Sequence, residues 1–382
     1  MKIAYLFKYN FNLGELSVLK KIISQINALR DNNIEITLFI ISEEIGIKEF
    51  AFNNKIIRDE IYKYIKNNIN FEPQNIIIRI FKIRYLIKEI IKKLKLFKPN
   101  VIYLRDCGFQ LNLHKKLSEI APLFVEIQTK FLDELSLHKN IKYYCEKILK
   151  RKYLYYANGL ICITNEIGEY ESKFNNKPFF VLGNGIDNDE IYFIEKRNNN
   201  NLINLLFIGS PNLPWHGIDR LIHSFINAPN KHKFFLHIIG YDNIGISDNN
   251  IKCYGYIKDR NYIDDIFKKC DIGIGTLALF RNNMNQAATL KVREYLAKGL
   301  PVAIGYYDVD LNNEIFVFNI PNDNSDINFL ELENFYSKIG KNYRENYNGL
   351  NTTIYAMENL NWTKKMKNVI EFINKNINNK ES

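Results

Sequence analysis

The chain has 382 residues, 46% of them hydrophobic and 14% aromatic, enough apolar material for one large core or, as we read it, two ordinary ones. Five cysteines (Cys107, Cys145, Cys162, Cys253 and Cys270) are widely spaced and form no CxxC pair, which argues against a disulfide framework and against a zinc site. No uncharged apolar run approaches the roughly 18 residues of a membrane span, and Lys8 stands where a signal peptide would carry its apolar centre, so a cytoplasmic protein is expected.

The formal charge of +10 is uneven: Met1 to Gly185 carry 30 Lys+Arg against 19 Asp+Glu, and the remainder 22 against 23. The sequence therefore places the whole basic surplus in its first half. Much of it lies in IRIFKIRYLIKEIIKKLKLFK, where Arg79, Lys82, Arg84, Lys88, Lys92, Lys93, Lys95 and Lys98 face the single acid Glu89. Ile87, Ile90, Ile91 and Leu94 recur there at the spacing of one helical face. Such a helix can lie on an anionic membrane, each cation adding about 1 kcal/mol near the lipid; it can equally pack on a sheet with its lysines in water.

Strand-like and helix-like patterns alternate along the chain. KIAYLF leads through a loop containing Gly14 to a periodic segment Leu16 to Leu29; IEITLFIIS, the basic helix and VIYLR follow. Next come PLFVEI, a helix over Tyr143 to Tyr156, GLICIT and FFVLGNGID. Apolar strands without polar alternation, separated by helices, predict a parallel sheet buried on both faces. After the polar, Asn-rich EIYFIEKRNNNN the alternation restarts with INLLFIG, a helix over Ile218 to Asn227, FFLHIIG, IKCYGYI, a helix near Ile263 to Lys269, DIGIGTL, LKVREYLAKGL and PVAIG. The reading is α/β, with an N-terminal domain over 1–185, a linker over 186–203, a second domain over 204–360 and a C-terminal helix over 361–382 packing back on the first. Two doubly wound domains in tandem would face a central cleft, with strand C-termini and helix N-termini toward it.

LKVREYLAKGLPVAIG carries the most chemistry. On a helix Lys291, Glu294 and Lys298 share a face, and an i, i+4 pair of Glu294 with Lys298 on the surface is worth only about 0.3 to 0.5 kcal/mol. The other reading starts from position: the free amides of Ala288, Thr289 and Leu290 at the helix start suit a diphosphate, Lys291 adds a charge, and Glu294 can accept two hydrogen bonds from a ribose diol.

The stretch resembles the signature of retaining, nucleotide-sugar-dependent glycosyltransferases of the GT-B fold, family 4-like (glycosyltransferase group 1), in which a carboxylate on this helix binds the nucleotide ribose. GLICITNEIGEY, VLGNGID, LFIGSPNLPWHGIDRLIHSF, HIIG, YGYI, CDIGIGTL and YAMENLNW match further pieces in order, over about 200 residues. The resemblance implies two Rossmann-like domains, the first for the acceptor and the second for a UDP- or GDP-linked donor. Donor contacts are then expected from Gly209, Ser210, His216, Gly240, Tyr256, Ile257, Ala288, Thr289, Leu290, Lys291 and Glu294. It implies sugar transfer with retention to a glycan or lipid-linked acceptor, in bacterial cell-surface polysaccharide biosynthesis at the inner face of the plasma membrane.

Departures from the pattern are specific. Gln286 stands where many members carry a first glutamate near the sugar, and Ser210 and His216 replace the Arg and Lys that grip the diphosphate, leaving that charge to Lys291. DVD (Asp308–Asp310) and DND (Asp187–Asp189) mimic the metal-binding DxD of the other glycosyltransferase fold but are read as structural, so neither a metal nor a cofactor is expected. In the first domain Gly14 and Arg105 are acceptor-side candidates. Glu126 and Gln128, which end PLFVEIQT where the family often has a catalytic histidine, join Gln286 as catalytic candidates. The rival readings are a nucleotide-sugar epimerase of the same fold and a basic nucleic-acid-binding protein. No RNA- or DNA-binding signature accompanies the basicity, so no nucleic-acid partner is expected.

Overall fold

The structure, a computed structural model, describes residues 1–8, 16–42, 46–51, 76–108, 110, 112–136, 141–149, 151–196, 201–311, 313–339 and 350–377. The chain divides into two compact units, one of Met1–Leu182 with Trp362–Ser382 and one of Gly183–Asn361.

In the first unit the unbroken apolar runs become β1 (Lys2–Lys8), β2 (Glu35–Ser42), β3 (Gly46–Ala51), β4 (Val101–Arg105), β5 (Leu123–Ile127), β6 (Gly159–Cys162) and β7 (Phe179–Val181). Their spatial order is β3-β2-β1-β4-β5-β6-β7. All pairs are parallel except β2 with β3, an antiparallel edge strand that the sequence reading did not include. The chain leaves β1 through α1 (Leu16–Asp31) toward β2 and returns past β1 through α2 (Ile76–Phe97) to β4. α1 packs on the face of the sheet that presents Ile3, Tyr5 and Phe7 of β1. On the α1 face, Leu19, Ile22, Ile26 and Leu29 are buried with Trp362, Met366, Val369 and Ile373 of the C-terminal helix, Trp362–Asn376. Full burial of each such side chain is worth about 1.5–3 kcal/mol, so its own apolar stripe holds the last helix on this unit.

The helix expected over Tyr143 to Tyr156 is broken. After α3 (Leu113–Ser118) and α4 (Phe131–Ser136), α5 spans only Ile141–Leu149, Arg151 turns left-handed at φ 54°, and a 3-10 turn covers Lys152–Tyr156. The Arg151 guanidinium is fully buried, bound to Asp106 at 2.5 Å and to Glu171 of α6 (Asn165–Asn175). A buried charge that must meet two carboxylates outweighs the helical periodicity of its neighbours.

The second unit repeats the architecture. β8 (Ile203–Ile208), β9 (Phe234–Ile239), β10 (Ile251–Cys253), β11 (Ile272–Ile274), β13 (Val302–Ile304) and β15 (Val317–Asn319) form a parallel sheet in the order β10-β9-β8-β11-β13-β15. A separate pair joins β12 (Gln286–Ala287) to β14 (Tyr307–Asp308). The helices are α7 (Ile218–Asn227), α8 (Arg260–Phe267), α9 (Leu290–Ala297), α10 (Phe329–Ile339) and α11 (Leu350–Tyr355). The order reverses between β8 and β11, so the loops after those two strands flank the switch point where open α/β sheets hold ligands.

Part of the stretch expected as linker is core here. Ile186, Ile191 and Ile194 are buried among Leu206, Phe267 and Leu296, and Ile186 bridges to Asn361. Their spacing is hidden among Asn, Asp and Glu, which made the segment read as polar. No helix among the described residues is long and apolar enough to cross a membrane.

Candidate functional site

Three loops at the C-terminal ends of β8, β9 and β10 are stitched together by their backbones. The Gly209 amide donates to Ile239 O at 3.0 Å, Gly240 N–H to Gly255 O at 2.8 Å and Gly255 N–H to Tyr241 O at 3.0 Å. Gly240 has φ 96°, and a Cβ there would lie 1.9 Å from Gly209 O, so only glycine lets these loops meet. The Tyr241 hydroxyl donates to Ser210 O at 2.8 Å and fixes the turn that follows Gly209. Tyr256 projects from the third loop, 78% exposed, while Ile257 packs on the core.

Across the switch point, α9 begins at Thr289, whose extended backbone (φ −81°, ψ 142°) caps the helix without a side-chain hydrogen bond; its hydroxyl meets Tyr306 Oη at 2.8 Å instead. The first turn holds no acid. The Thr289 side chain thus leaves the opening amides uncapped, a condition under which a helix start attracts an anion. Asn184 of the NGID stretch donates to Ala288 O at 2.6 Å, and its own carbonyl accepts from Arg293 Nε at 2.9 Å. Its side-chain Oδ1 is buried without a hydrogen-bond partner among the described residues.

Two residues of LKVREYLA anchor the helix. Arg293, 1% exposed, binds Asp308 through two hydrogen bonds and Asp310 through one, at 2.5 Å. Burial opposes its charge, and the two carboxylates more than restore it, raising its pKa above the ordinary arginine value. DVD is thus the structural counter-ion of this helix. Tyr295 Oη accepts from Ile208 N–H at 2.8 Å and donates to Ile274 O at 3.3 Å, which ties α9 to the two strands of the switch point. Val292 and Leu296 fill the same buried side.

The charged residues of α9 then diverge. The Lys291 ammonium is buried 4.4 Å above the Phe207 ring and has no hydrogen-bond partner among the described residues. Burial lowers its pKa to about 7. His216 lies close enough that Lys291 adds to the effect of burial in lowering the imidazole to about 3. Its Nδ1 accepts from the Ser210 amide at 3.2 Å, so the neutral ring carries its proton on Nε2. Glu294, one turn deeper and 29% exposed, stands 3.8 Å from Arg260 at the start of α8.

Lys298 does not form the exposed surface pair with Glu294 that the spacing allowed. It is buried, its ammonium 3.0 Å over the Tyr192 ring and 3.5 Å from Asp264. The segment containing Ile194, whose amide donates to Lys298 O at 3.2 Å, covers that end of the helix.

Gly209, Ser210, Gly240, Tyr256, Ile257, Ala288 and Thr289 lie in the loops, His216 in a 3-10 turn (Pro214–His216), and Leu290, Lys291 and Glu294 in the first five residues of α9, all following strands of one sheet. Gln286 lies on β12, register-paired with Tyr307. Sequence reasoning missed Asn184 and Arg293 as the residues that fix this edge; NGID and the DVD pair were the available signals. Among the described residues no three His, Cys, Asp or Glu side chains are grouped to hold a metal ion.

The remaining candidates lie in the first unit. Glu126, at the end of β5 and 0% exposed, is ringed by donors: Tyr103 Oη at 2.5 Å, Gln128 Nε2 at 2.6 Å, Gln25 Nε2 at 3.1 Å, Lys21 Nζ at 3.2 Å and Arg105 Nη1 at 3.3 Å. Burial pushes its pKa up, but Lys21 and Arg105 prevail and hold it below the usual carboxylate range. Gln128 in turn accepts from Lys21 at 2.5 Å. Both Glu126 oxygens accept from these donors, so the carboxylate orients Arg105, Gln128 and Lys21. Gly14 lies outside the described residues.

The architecture as a whole is the GT-B fold, two Rossmann-like domains, and it is shared with solved glycosyltransferases. One from Rickettsia africae matches with a TM-score of 0.65 and 14% identity over 99% of both chains. The lipopolysaccharide outer core galactosyltransferase WaaB, in its apo form, matches with a TM-score of 0.61 and 12% identity, over 97% of this chain and 99% of its own. Anabaena HepE, solved in complex with UDP and glucose, gives 0.60 and 13% identity, over 98% of this chain and all of its own. No family model matches the chain, and no curated protein matches it in sequence.

Proposed function

We propose that this chain is a glycosyltransferase that moves a sugar from a nucleoside-diphosphate sugar, UDP- or GDP-linked, to a glycan or lipid-linked acceptor with retention of configuration. The observation that carries the reading is the buried Lys291 ammonium, without a hydrogen-bond partner among the described residues, beside the start of α9, with Glu294 one turn deeper. A diphosphate is the group that answers both a buried ammonium short of acceptors and the amides of a helix start. A ribose diol on the same ligand would give Glu294 two donors. The likeness to WaaB and to HepE with bound UDP supports the same assignment.

In this reading Lys291, the Nε2–H of neutral His216 and the amides of α9 stabilise charge as it grows on the departing diphosphate. Gln286 hydrogen-bonds the transferred sugar. Arg105 and Gln128, held by Glu126, serve the acceptor side. The acceptor hydroxyl attacks from the face the nucleotide leaves and passes its proton to a phosphate oxygen; neither metal nor cofactor is assigned. The setting is the cytoplasmic side of a bacterial cell, in polysaccharide synthesis for the cell surface.

The test is incubation with a panel of UDP- and GDP-sugars, with nucleotide release and the anomeric configuration of the product followed by NMR. Release of nucleoside diphosphate with a retained anomer is expected. An inverted product, or an epimerised sugar with no transfer, overturns the assignment.

A further inference from the structure

Helix α2 presents two opposed faces. Leu86, Ile87, Ile90 and Leu94 are buried, at 0–6% exposure, and fix the helix on the first unit. At about 100° per residue, Phe81, Arg84, Tyr85, Lys88, Lys92, Lys95 and Leu96 fall within one arc of roughly 120° on the opposite side. All seven are exposed, Phe81 by 64%, Tyr85 by 62% and Leu96 by 76%. The stripe runs about 22 Å along the axis at 1.5 Å per residue. It carries four cations and no acid. Glu89, the one acid of the helix, lies off this arc, and so does Lys93, which reaches Glu49 at 3.5 Å.

A helix that merely faces water has no use for two aromatic rings and a leucine at its outermost positions. A protein-docking stripe depletes lysine from its centre, whereas Lys88 and Lys92 occupy the centre here. Large apolar side chains interleaved with lysines along a helix lying flat on a fold is the pattern of a surface that sinks rings to headgroup depth while ammonium groups meet lipid phosphates. We infer that the outer face of α2 docks on the anionic leaflet of a membrane, with Phe81, Tyr85 and Leu96 inserted and Arg84, Lys88, Lys92 and Lys95 on phosphate. This goes beyond the donor-site reading and stands whether or not that reading holds.

The experiment is sedimentation of the full chain with phosphatidylcholine vesicles, with and without phosphatidylglycerol. Binding to the anionic vesicles alone is expected, weakening as salt rises. Lys88→Ala with Lys92→Ala should lower the partition coefficient about thirtyfold, from about 1 kcal/mol per cation. Phe81→Ala with Tyr85→Ala should weaken it as well, and should do so at high salt too. All four side chains are exposed, so neither pair should move the thermal midpoint, and UDP binding should be unchanged in both. Absence of binding to anionic vesicles at low salt overturns the inference. So does binding that ignores both pairs, or that responds to the lysines and not to the aromatics, since the latter marks a surface for any polyanion, nucleic acid included.

Discussion

The Lys291 ammonium makes a sharp prediction about pH. Unliganded, burial holds it near a pKa of about 7, while His216, lowered to about 3, stays neutral throughout the range of interest. A bound diphosphate needs the ammonium charged, so above about pH 7 binding must first recruit a proton. The apparent dissociation constant should then scale as one plus ten to the power of pH minus pKa. Between about pH 7 and pH 9 this is a rise of about fiftyfold, or roughly 2.3 kcal/mol. Terminal phosphates titrate near pH 6, so this window isolates the lysine. Stability should follow the same logic: from about pH 7 up to the ordinary lysine value the unfolded chain holds a proton that the unliganded fold lacks, so stability rises with pH there. The assay is calorimetry of UDP binding at about pH 8 in two buffers of different ionisation enthalpy, where uptake of about 0.9 proton per UDP is expected. Lys291→Arg should bind without proton uptake and with a flat pH profile, and Lys291→Met should bind weakly at every pH. UDP binding by the wild type that is pH-independent and takes up no proton refutes the reasoning.

Other expectations follow from particular contacts. Asp308→Ala leaves Arg293 buried with a fraction of its counter-charge and should cost about 3–5 kcal/mol in denaturant unfolding. Glu126→Gln strips the negative charge that Lys21 and Arg105 surround and should destabilise by a similar amount. Because the Glu126 pKa is lowered in the fold, its contribution is present above the ordinary carboxylate range and lost as pH falls below it, so the variant should show a flatter acid limb in stability against pH. Gly273→Ala would place a methyl 2.4 Å from the Tyr295 ring and should cost about 1–3 kcal/mol by displacing α9 from β11, with a matching loss of UDP affinity.

The parallel sheets were legible because runs such as EITLFIIS and INLLFI bury both faces and leave no alternation to misread. The C-terminal edge of the second sheet was legible because its residues stand at strand ends and near one helix start, positions that spacing and Gly/Pro punctuation mark directly. What stayed hidden depended on contacts distant in sequence. Arg151 breaks a helix to reach Asp106, forty-five positions away. Lys298 exchanges an i, i+4 neighbour for Tyr192, and Glu126 collects donors from α1, β4 and the end of β5. Buried ion pairs leave no periodic trace, and charges read along the chain default to solvent.

Titration of UDP and GDP into wild-type and Glu294→Ala protein tests most directly whether the start of α9 holds a nucleoside diphosphate with Glu294 on its ribose. Losing hydrogen bonds to a charged acceptor costs about 1.5–3 kcal/mol, so the variant should bind its preferred nucleotide about ten- to 150-fold more weakly at an unchanged thermal midpoint. Equal affinity in the two proteins, or no binding of either nucleotide by the wild type, contradicts it.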